Sequence, residues 1–441
     1  MRYVLRDMAS SFAPKKSLGQ NFLHDVGIAK WIADEIRPDG APLVVEIGPG
    51  QGAMTTHLVG RAAKTLLLEK DNTLAADLKA KFDGREDVEV WHGDATRFDL
   101  RPLFKFGGVK VIGNLPYSMG GEILRHVLTP PTPVTEAVFM LQKEVCQRLA
   151  ADQEDDAYGG LSLVVQHDWE VEIRRIIPPE VFKPRPKVDS AIVRLTPRPP
   201  GDLPVHDRAL FDRLVRMGFS QRRKQLKNLL PECPGGWDSL MGSLSKPLTV
   251  RAEELTLWDW VALTRHYEGR HEEDRGQKAT EIFDVVDENN VVIGQAPRGE
   301  VHAKGLKHRA VHIFVFNKHG ELWLQKRSHL KDVHPLTWDS SAAGHLDAGE
   351  DYATSAAREL KEEIGISAPT RCVATIPACE ATGQEFVELH VAEHNGPMKY
   401  APDEITTGLF FRVEEIQAWI EARPQDFASG FIECFARWRA L

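Results

Sequence analysis

LVVEIGPGQG, residues 43–52, decides the fold. An apolar run with β-branched Val44, Val45 and Ile47 passes straight into glycines at 48, 50 and 52. Such a run, short and ended by a glycine turn, reads as a buried parallel strand handing over to a helix. Glycines at alternate positions let the backbone turn tightly and approach a ligand with no Cβ in the way. The spacing is G-x-G-x-G, which departs from the dinucleotide pattern G-x-G-x-x-G. Glycine turns are common between a strand and a helix, so the loop needs support from its neighbours.

Working outward, TLLLE (65–69), VEVWH (88–92), VKVIG (109–113) and AVFML (137–141) repeat the short, apolar strand pattern, and DNTLAADLKAKF (71–82) reads as a helix between two of them. Strands alternating with helices predict a doubly wound α/β sheet over residues 1–204. After about residue 205 the strand signal fades. LFDRLVRMGFSQRRKQLKNLL (210–230) and RAEELTLWDWVALTRHY (251–267) read as amphipathic helices around a Pro/Gly break at 231–236, giving a small helical subdomain over 205–267. The stretch EGRHEEDRGQKAT (268–280) has no large apolar side chain, cannot join a core, and reads as a linker. Beyond it, IFDVV, VHIFVF and ELWLQ alternate as strands. A glycine-rich loop, a patterned helix over about 351–364 and a last helix in FIECFARWRAL complete a separate α+β domain over 281–441.

The 441 residues, 42% hydrophobic and 27% charged, are in the globular range and too many for one ordinary core. No apolar run reaches membrane-spanning length. The start, MRYVLRDMASSFAPKKSLGQNFL, lacks the apolar core and cleavage site of a signal peptide, so a cytoplasmic protein with no membrane partner is expected, and a monomer. Five scattered cysteines with no C-x-x-C pair support neither a disulfide framework nor a zinc site. The net charge of −9 is unevenly spread: residues 276–441 carry 17 Lys and Arg against 25 Asp and Glu. Residues 171–230 instead carry 14 Lys and Arg against 6 Asp and Glu, the local basic surface that a phosphate backbone requires. A solvated charged face would look the same.

Two further strand ends strengthen the glycine loop. Glu69 closes the next strand, where a carboxylate can accept both ribose hydroxyls of a nucleoside. Asp94, in the HGDAT turn, can receive the exocyclic amine of an adenine ring. Strand VKVIG then ends in Asn114-Leu115-Pro116-Tyr117. An exocyclic amine is a poor nucleophile because its lone pair is delocalised into the ring. An Asn oxygen and a backbone carbonyl can accept its two N–H groups and aim the lone pair at a methyl donor without a strong base. Pro116 fixes the backbone so that a carbonyl points into the site, and Tyr117 offers a face for an extruded base. The bland alternative is an Asn-Pro turn.

These residues carry a family resemblance. SLGQNFL (17–23), VVEIGPGQG (44–52), GNLPY (113–117), FMLQKEVCQRLA (139–150), YGGLS (158–162), FKPRPKVDSAIVRL (182–195) and FSQRRKQLKNLL (219–230) resemble the ribosomal RNA adenine dimethyltransferases, over roughly residues 10–267. The resemblance implies a Rossmann-like class I methyltransferase sheet and S-adenosyl-L-methionine as methyl donor. It implies dimethylation of N6 on two adjacent adenines in the 3′-terminal hairpin of small-subunit (16S) rRNA, with the rRNA or the pre-30S particle as partner. It also implies cofactor contacts from Asn21, Leu23, Gly48, Gly50, Glu69, Asp94 and Asn114. Asn114 and Tyr117 would hold the target base and Phe182 would stack on its other side. The related erythromycin-resistance enzymes modify large-subunit rRNA and usually have Ile before the Pro; Leu115 and the PKVDS run favour the small subunit. Arg222, Arg223 and Lys224, expected on a helix of the small subdomain, are natural phosphate contacts or else a solvated helix face.

In the last domain, GHLDAGEDYATSAARELKEEIGI (344–366) fits G-x5-E-x7-R-E-U-x-E-E-x-G-U in full. A chance match to its seven fixed residues is on the order of one in a million. Glu359 and Glu363 share a helix face with Glu362 beside them, and such carboxylates repel one another unless a cation lies between them. Hard oxygen ligands suit Mg²⁺ or Mn²⁺, and Arg358 can steady a carboxylate, with Glu350 the expected partner. The pattern resembles the Nudix superfamily, which implies hydrolysis of a nucleoside diphosphate-type substrate. The upstream stretch EIFDVVDENNVVIGQAPRGEVHAKGLKHRAVHIFVF also resembles the branch related to isopentenyl diphosphate isomerase. That isomerase needs a reactive Cys ahead of the box, where this chain reads TWDSSAAGHL, so hydrolysis is preferred. An isomerase-like or non-catalytic sensor module is the alternative. Glu385, Glu388 and Glu404 are candidates for the general base.

Overall fold

Leu43, Val44, Val45 and Ile47 are all buried, which is what a strand covered on both faces demands. In the computed structural model, which describes residues 20–153, 155–269 and 281–441, they form β1 (Leu43–Ile47). The expected linker lies mostly outside the described residues, as do positions 17–19 of the SLGQNFL stretch. The chain divides into two compact units, Met1–Leu100 with Gly107–Arg198, and Arg101–Phe106 with Pro199–Leu441.

The first unit is built on one seven-stranded sheet. Besides β1 it contains β2 (Thr65–Glu69), β3 (Val88–His92), β4 (Val109–Asn114), β5 (Val134–Gln142), β6 (Trp169–Ile177) and β7 (Ser190–Pro197), in the order β3-β2-β1-β4-β5-β7-β6. The first five are parallel, and β7 runs antiparallel between β5 and the edge strand β6. Parallel strands need crossovers, and these are helical. Helix α1 (Val26–Glu35) starts at Asp25, whose carboxylate accepts the Ile28 amide at 2.8 Å, and buries Ala29, Ile32 and Ala33 against Val44, Ile112 and Met140. Helix α2 (Asn72–Lys81) is capped by Asp71 in the same way. The parallel register brings the carboxyl ends of β1, β2 and β4 to one edge, where the strand order reverses and ligands bind in open α/β sheets.

In the second unit, helix α3 (Arg208–Gly218) and helix α4 (Leu257–Glu268) pack around Trp260, which has no exposed surface. A Cβ on Gly218 would sit 2.5 Å from the Trp260 ring, so a glycine is what lets the two helices close. The expected single helix over 210–230 is not formed. It breaks at Gly218, and residues 219–225 are turn before a short 3₁₀ segment, Leu226–Asn228. Leu226 also turns its amide to Val250 rather than along a helix.

The remainder of this unit carries the hairpin β8 (Ile282–Val286) and β9 (Val292–Pro297), and a second seven-stranded sheet. That sheet contains β10 (His308–Phe316), β11 (Leu322–Arg327), β12 (Trp338–Asp339), β13 (Ala342–His345), β14 (Arg371–Ile376), β15 (Glu385–Glu393) and β16 (Ile405–Phe411). Its path is β12-β11-β10-β15-β14, with β13 joined to β10 and β16 to β11. Helix α5 (Tyr352–Ile364), capped by Asp351, buries Ala356, Leu360 and Ile364 against Val311, Ile313 and Val315 of β10. The opposite face is covered by α6 (Val413–Ala422) and α7 (Ser429–Arg439) around Phe314, Phe411, Trp419 and Phe431. Phe104 belongs to this cluster, its ring 4.8 Å from Trp419 and 5.5 Å from Phe411. Among the described residues no helix is long and apolar enough to cross a membrane.

Candidate active sites

The strand ends of the first unit form one cavity. Asn21, Leu23, Gly48, Gly50, Glu69, Asp94, Asn114, Leu115, Pro116 and Tyr117 all line it. The turn after β1 works because Gly48 and Gly50 both adopt positive φ, +67° and +57°. A Cβ on Gly50 would also come within 3.0 Å of the Phe22 ring, so the backbone passes where a side chain has no room. Glu69 Oε2 accepts the Gly50 amide at 3.0 Å and Oε1 accepts the Asp71 amide at 2.8 Å, which locks the loop to the end of β2. Burial raises the Glu69 carboxyl above its ordinary range, and the two amides counter that only in part. Asp94 is held well down, to about 2, chiefly by Lys70 Nζ at 2.7 Å, and it also caps the Thr96 amide at 3.1 Å.

Asn114 ends β4 with its side chain oriented: Nδ2 donates to the Asn21 carbonyl at 3.0 Å, which leaves Oδ1 as the acceptor. The Pro116 carbonyl takes the amides of Met119 and Gly120 at 3.0 and 2.9 Å, so it belongs to the following helix rather than to a ligand. The Tyr117 hydroxyl is 2.7 Å from Ser190 Oγ, and burial pushes the phenol up. Phe182 does not join them. It pairs with Leu23 in a two-residue ladder, is 3% exposed, and lies in the core cluster with Ile177 and Ile192. Glu46 was not singled out above. It is fully buried inside β1, accepts the Thr55 hydroxyl at 2.7 Å, and is pushed up to about 7 by burial. Its signal was an acid inside an otherwise apolar run.

The donor set fits a nucleoside cofactor. A glycine cradle, a carboxylate at the second strand end and an acid capping the third turn offer close backbone approach and directed acceptors. Arg222, Arg223 and Lys224 lie elsewhere, exposed in the turn between α3 and the 3₁₀ segment and not on a helix as expected; Arg222 Nε is 3.3 Å from Glu253.

A second cavity, in the second unit, holds Glu359, Glu362 and Glu363. Arg358 organises them. Its Nε and Nη2 donate to the two Glu350 oxygens at 3.0 and 2.9 Å, and its Nη1 donates to Glu359 at 2.7 Å and to Glu362 at 3.1 Å. Glu350 is thus the expected partner. Glu363 accepts the Ala343 amide at 3.1 Å and Gln325 Nε2 at 3.2 Å. Burial raises both Glu359 and Glu363, and the charge of Glu363 adds to the effect on Glu359. A Cβ on Gly344 would fall on the Glu359 carboxylate, so the backbone of β13 runs directly over it. Carboxylates gathered around one arginine, from buried Glu359 to half-buried Glu363 and exposed Glu362, are a donor set for a hard divalent cation.

Glu385 and Glu404 line this cavity, whereas Glu388 does not and pairs with His390 at 3.1 Å. Sequence reasoning missed a further group: ligand atoms of His302, His308 and His345 lie within 4.8 Å of one another and could hold a metal ion. His345 Nε2 is 2.9 Å from Glu385 Oε1, and His308 Nε2 is 3.5 Å from the same oxygen, long for a hydrogen bond. Burial alone would raise Glu385, but the two histidines outweigh it and hold the carboxyl well below the usual range. The same trio, with Cys372, Glu388 and His390 as a second group, was invisible to a search for C-x-x-C pairs.

The first sheet, with a glycine cradle and an Asn-Leu-Pro-Tyr turn at its carboxyl edge, is that of a Rossmann-like methyltransferase, followed by a domain with the Nudix box helix. Comparison with known proteins agrees. Residues 11–241 match the family Ribosomal RNA adenine dimethylase, and residues 306–429 match the NUDIX domain. The chain is 40% identical over 250 residues to Ribosomal RNA small subunit methyltransferase A of Pseudomonas aeruginosa, covering 56% of this chain and 92% of that protein. It is 40% identical over 260 residues to the protein of the same name from Xanthomonas euvesicatoria, covering 58% and 98%. Among solved structures, the 23S rRNA methyltransferase ErmE matches at 25% identity with a TM-score of 0.47, over 56% of this chain and 100% of that one. The chain belongs to the ribosomal RNA adenine dimethylase family and carries a NUDIX domain at its C-terminal side. It is an enzyme, a transferase joined to a hydrolase domain.

Proposed function

We propose that the first unit dimethylates N6 of two adjacent adenines in the 3′-terminal hairpin of small-subunit rRNA, and that the second unit hydrolyses a nucleoside diphosphate-type substrate with Mg²⁺ or Mn²⁺. The observation that carries the first half is the orientation of Asn114. With Nδ2 bound to the Asn21 carbonyl, Oδ1 accepts one N–H of the target amine. Because the Pro116 carbonyl is taken by its own helix, the Leu115 carbonyl accepts the other. Two acceptors on one amine pull its lone pair out of conjugation and direct it, which is positioning and electrostatics rather than strong-base catalysis. S-adenosyl-L-methionine, when bound, supplies an electrophilic methyl group. Gly48 and Gly50 give its chain close backbone approach, Asn21 and Leu23 cover it, Glu69 accepts the ribose hydroxyls, and Asp94 receives the adenine amine. Tyr117 supports the extruded base on one side. Phe182, buried as it is, takes no part unless the Leu23 ladder opens. The names of the relatives above support the small subunit as target, and exposed Arg222, Arg223 and Lys224 contact the RNA backbone.

In the second unit Glu359, Glu362 and Glu363 would hold a divalent ion, whose chemistry when bound would be to polarise phosphate oxygens, while Arg358 keeps their carboxylates in register. Arg298, Arg327 and Lys331 line the same cavity and counter the charge of a diphosphate. The test is mass analysis of small-subunit rRNA after incubation with labelled S-adenosyl-L-methionine, together with a panel of nucleoside diphosphate derivatives and prenyl diphosphates with Mg²⁺. Methyl groups at other rRNA positions would overturn the first half. Interconversion of isopentenyl and dimethylallyl diphosphate without nucleotide hydrolysis would overturn the second.

A further inference from the structure

His312 stands on β10, on the strand face it shares with His308, Ala310 and Phe314. It is 7% exposed and lines the cavity that holds Glu359 and Glu363. Its Nδ1 is 2.7 Å from the hydroxyl of Ser340, which has no exposed surface. The neighbouring Ser341 shows what a satisfied buried hydroxyl looks like: it donates to the Trp323 carbonyl at 2.5 Å and accepts the Val315 amide at 2.8 Å. Ser340 has no such choice. Among the described residues the only hydrogen-bond partner of its hydroxyl is His312 Nδ1. A buried O–H is costly to leave unmade, so the hydroxyl donates and Nδ1 accepts. Of the two tautomers, this selects the one with the hydrogen on Nε2.

Nε2 itself meets no partner among the described residues. It faces the small residues at one end of the cavity, where a methyl placed on Gly430 would lie 3.6 Å away. Ser340 is tied to the cationic wall as well: its amide donates to Asp339 Oδ1 at 2.7 Å, and Asp339 Oδ2 accepts Arg327 Nη1 at 2.9 Å. We propose that His312 contacts the substrate of the hydrolase domain, donating Nε2–H to a phosphate oxygen, and that Ser340 is a positioning residue that holds the donating tautomer. This rests on the hydrolase reading above. A histidine carrying its hydrogen on Nε2 is unsuited to ligate a metal through that atom, which separates it from the nearby His302, His308 and His345.

The experiment uses the full chain, inorganic pyrophosphate and Mg²⁺. Long-range proton–nitrogen correlation on the nitrogen-15-labelled protein, with His312→Gln used for assignment, should show the Nε2–H form, and its signal should shift when pyrophosphate is added. Calorimetric affinity for pyrophosphate should fall roughly tenfold in His312→Phe, the loss expected for one hydrogen bond to a charged group. In His312→Gln, which keeps an N–H donor near the Nε2 position, it should stay within about twofold. Ser340→Ala should fall between them and shift His312 toward a tautomer mixture, which loss of packing alone would not do. An Nδ1–H tautomer in the wild type, or unchanged affinity in His312→Phe, overturns the proposal while leaving the hydrolase reading intact. Failure of the wild-type chain to bind pyrophosphate with Mg²⁺ removes both.

Discussion

Replacing Asn114 separates two jobs that its side chain does in one place. Asn114→Ala removes the acceptor Oδ1 and the Nδ2 donor that aims it. Asn114→Asp keeps an acceptor of the same size but sets a carboxylate oxygen against the Asn21 carbonyl, 3.0 Å from the present Nδ2. Loss of that neutral hydrogen bond costs about 1 kcal/mol, and two oxygens in its place add repulsion that turns the carboxylate away. Loss of one preorganised hydrogen-bonding group at a reacting centre costs about a hundred- to a thousandfold in rate, or ~3 to 4 kcal/mol. Both variants are therefore expected to lose at least about a hundredfold in kcat. Asn114→Asp should be no better than Asn114→Ala, although it retains an acceptor. RNA affinity should change little in Asn114→Ala, since one neutral side chain adds little to a binding term dominated by phosphate contacts. Tritium incorporation into small-subunit particles under single-turnover conditions reads the first quantity, and filter binding at fixed salt reads the second. Near wild-type transfer by Asn114→Ala would refute the chemistry assigned to this turn. Near wild-type transfer by Asn114→Asp alone would refute the role of the Asn21 carbonyl as the orienting partner.

Other expectations follow from the same geometry. Replacing Arg222, Arg223 and Lys224 together by Ala should weaken RNA binding and flatten its salt dependence by about two to three phosphate contacts, less than three if Glu253 keeps Arg222 engaged; an unchanged salt slope makes the turn a solvated surface. Phe104→Ala should cost the second unit about 3 kcal/mol, the usual penalty for emptying a phenylalanine site, because its ring packs on Trp419, Phe411 and Trp338. Denaturant unfolding followed by tryptophan fluorescence measures it, and a loss below about 1 kcal/mol contradicts the packing. Glu363→Gln keeps an acceptor for the Ala343 amide while removing a charge from the donor set, so hydrolysis should fall with little change in melting temperature. Chelation of divalent ions should abolish the same activity, and activity surviving a chelator would speak against the metal reading.

Much of the fold was legible because its central strands are buried on both faces. LVVEI and TLLLE appear as β1 and β2 with the same bounds, since a parallel strand covered on both sides is apolar throughout and a glycine or acid marks its end; VEVWH keeps its bounds as β3 although it is an edge strand with none of its residues buried. The break in 210–230 was not legible. The helical periodicity of that stretch is real, but Gly218 is spent on contact with Trp260, some forty residues on, and the turn that follows is set by the pairing of Leu226 with Val250. Phe104 was hidden for the same reason. Nothing in RPLFKF (101–106) marks Phe104, and only tertiary structure shows its ring in an aromatic cluster of the second unit. Phe182 shows the limit of resemblance: a family position names a residue, while the ladder with Leu23 decides whether its ring faces a ligand.

The sites carry the same lesson in chemical terms, because one residue type does several jobs in this chain. Glu69 is fixed by two backbone amides and its role is structural to the glycine loop as much as receptive to a ligand. Glu359 and Glu363 are raised by burial, and the cations that face them, Arg358 for Glu359 and Lys331 for Glu363, offset this only in part. Glu385, equally enclosed, is driven the other way by His308 and His345. A motif on one helix discloses the first of the box acids and their spacing. It says nothing of what another strand brings opposite them, and that opposite wall decides whether a carboxylate binds a metal, accepts a proton or holds a histidine. The three histidines come from 302, 308 and 345 and the acid from 385, positions that no local pattern links. Here β13 and β15 both pair with β10 and so place His345 and Glu385 beside His308, and it is that pairing, not the box, that brings these groups together.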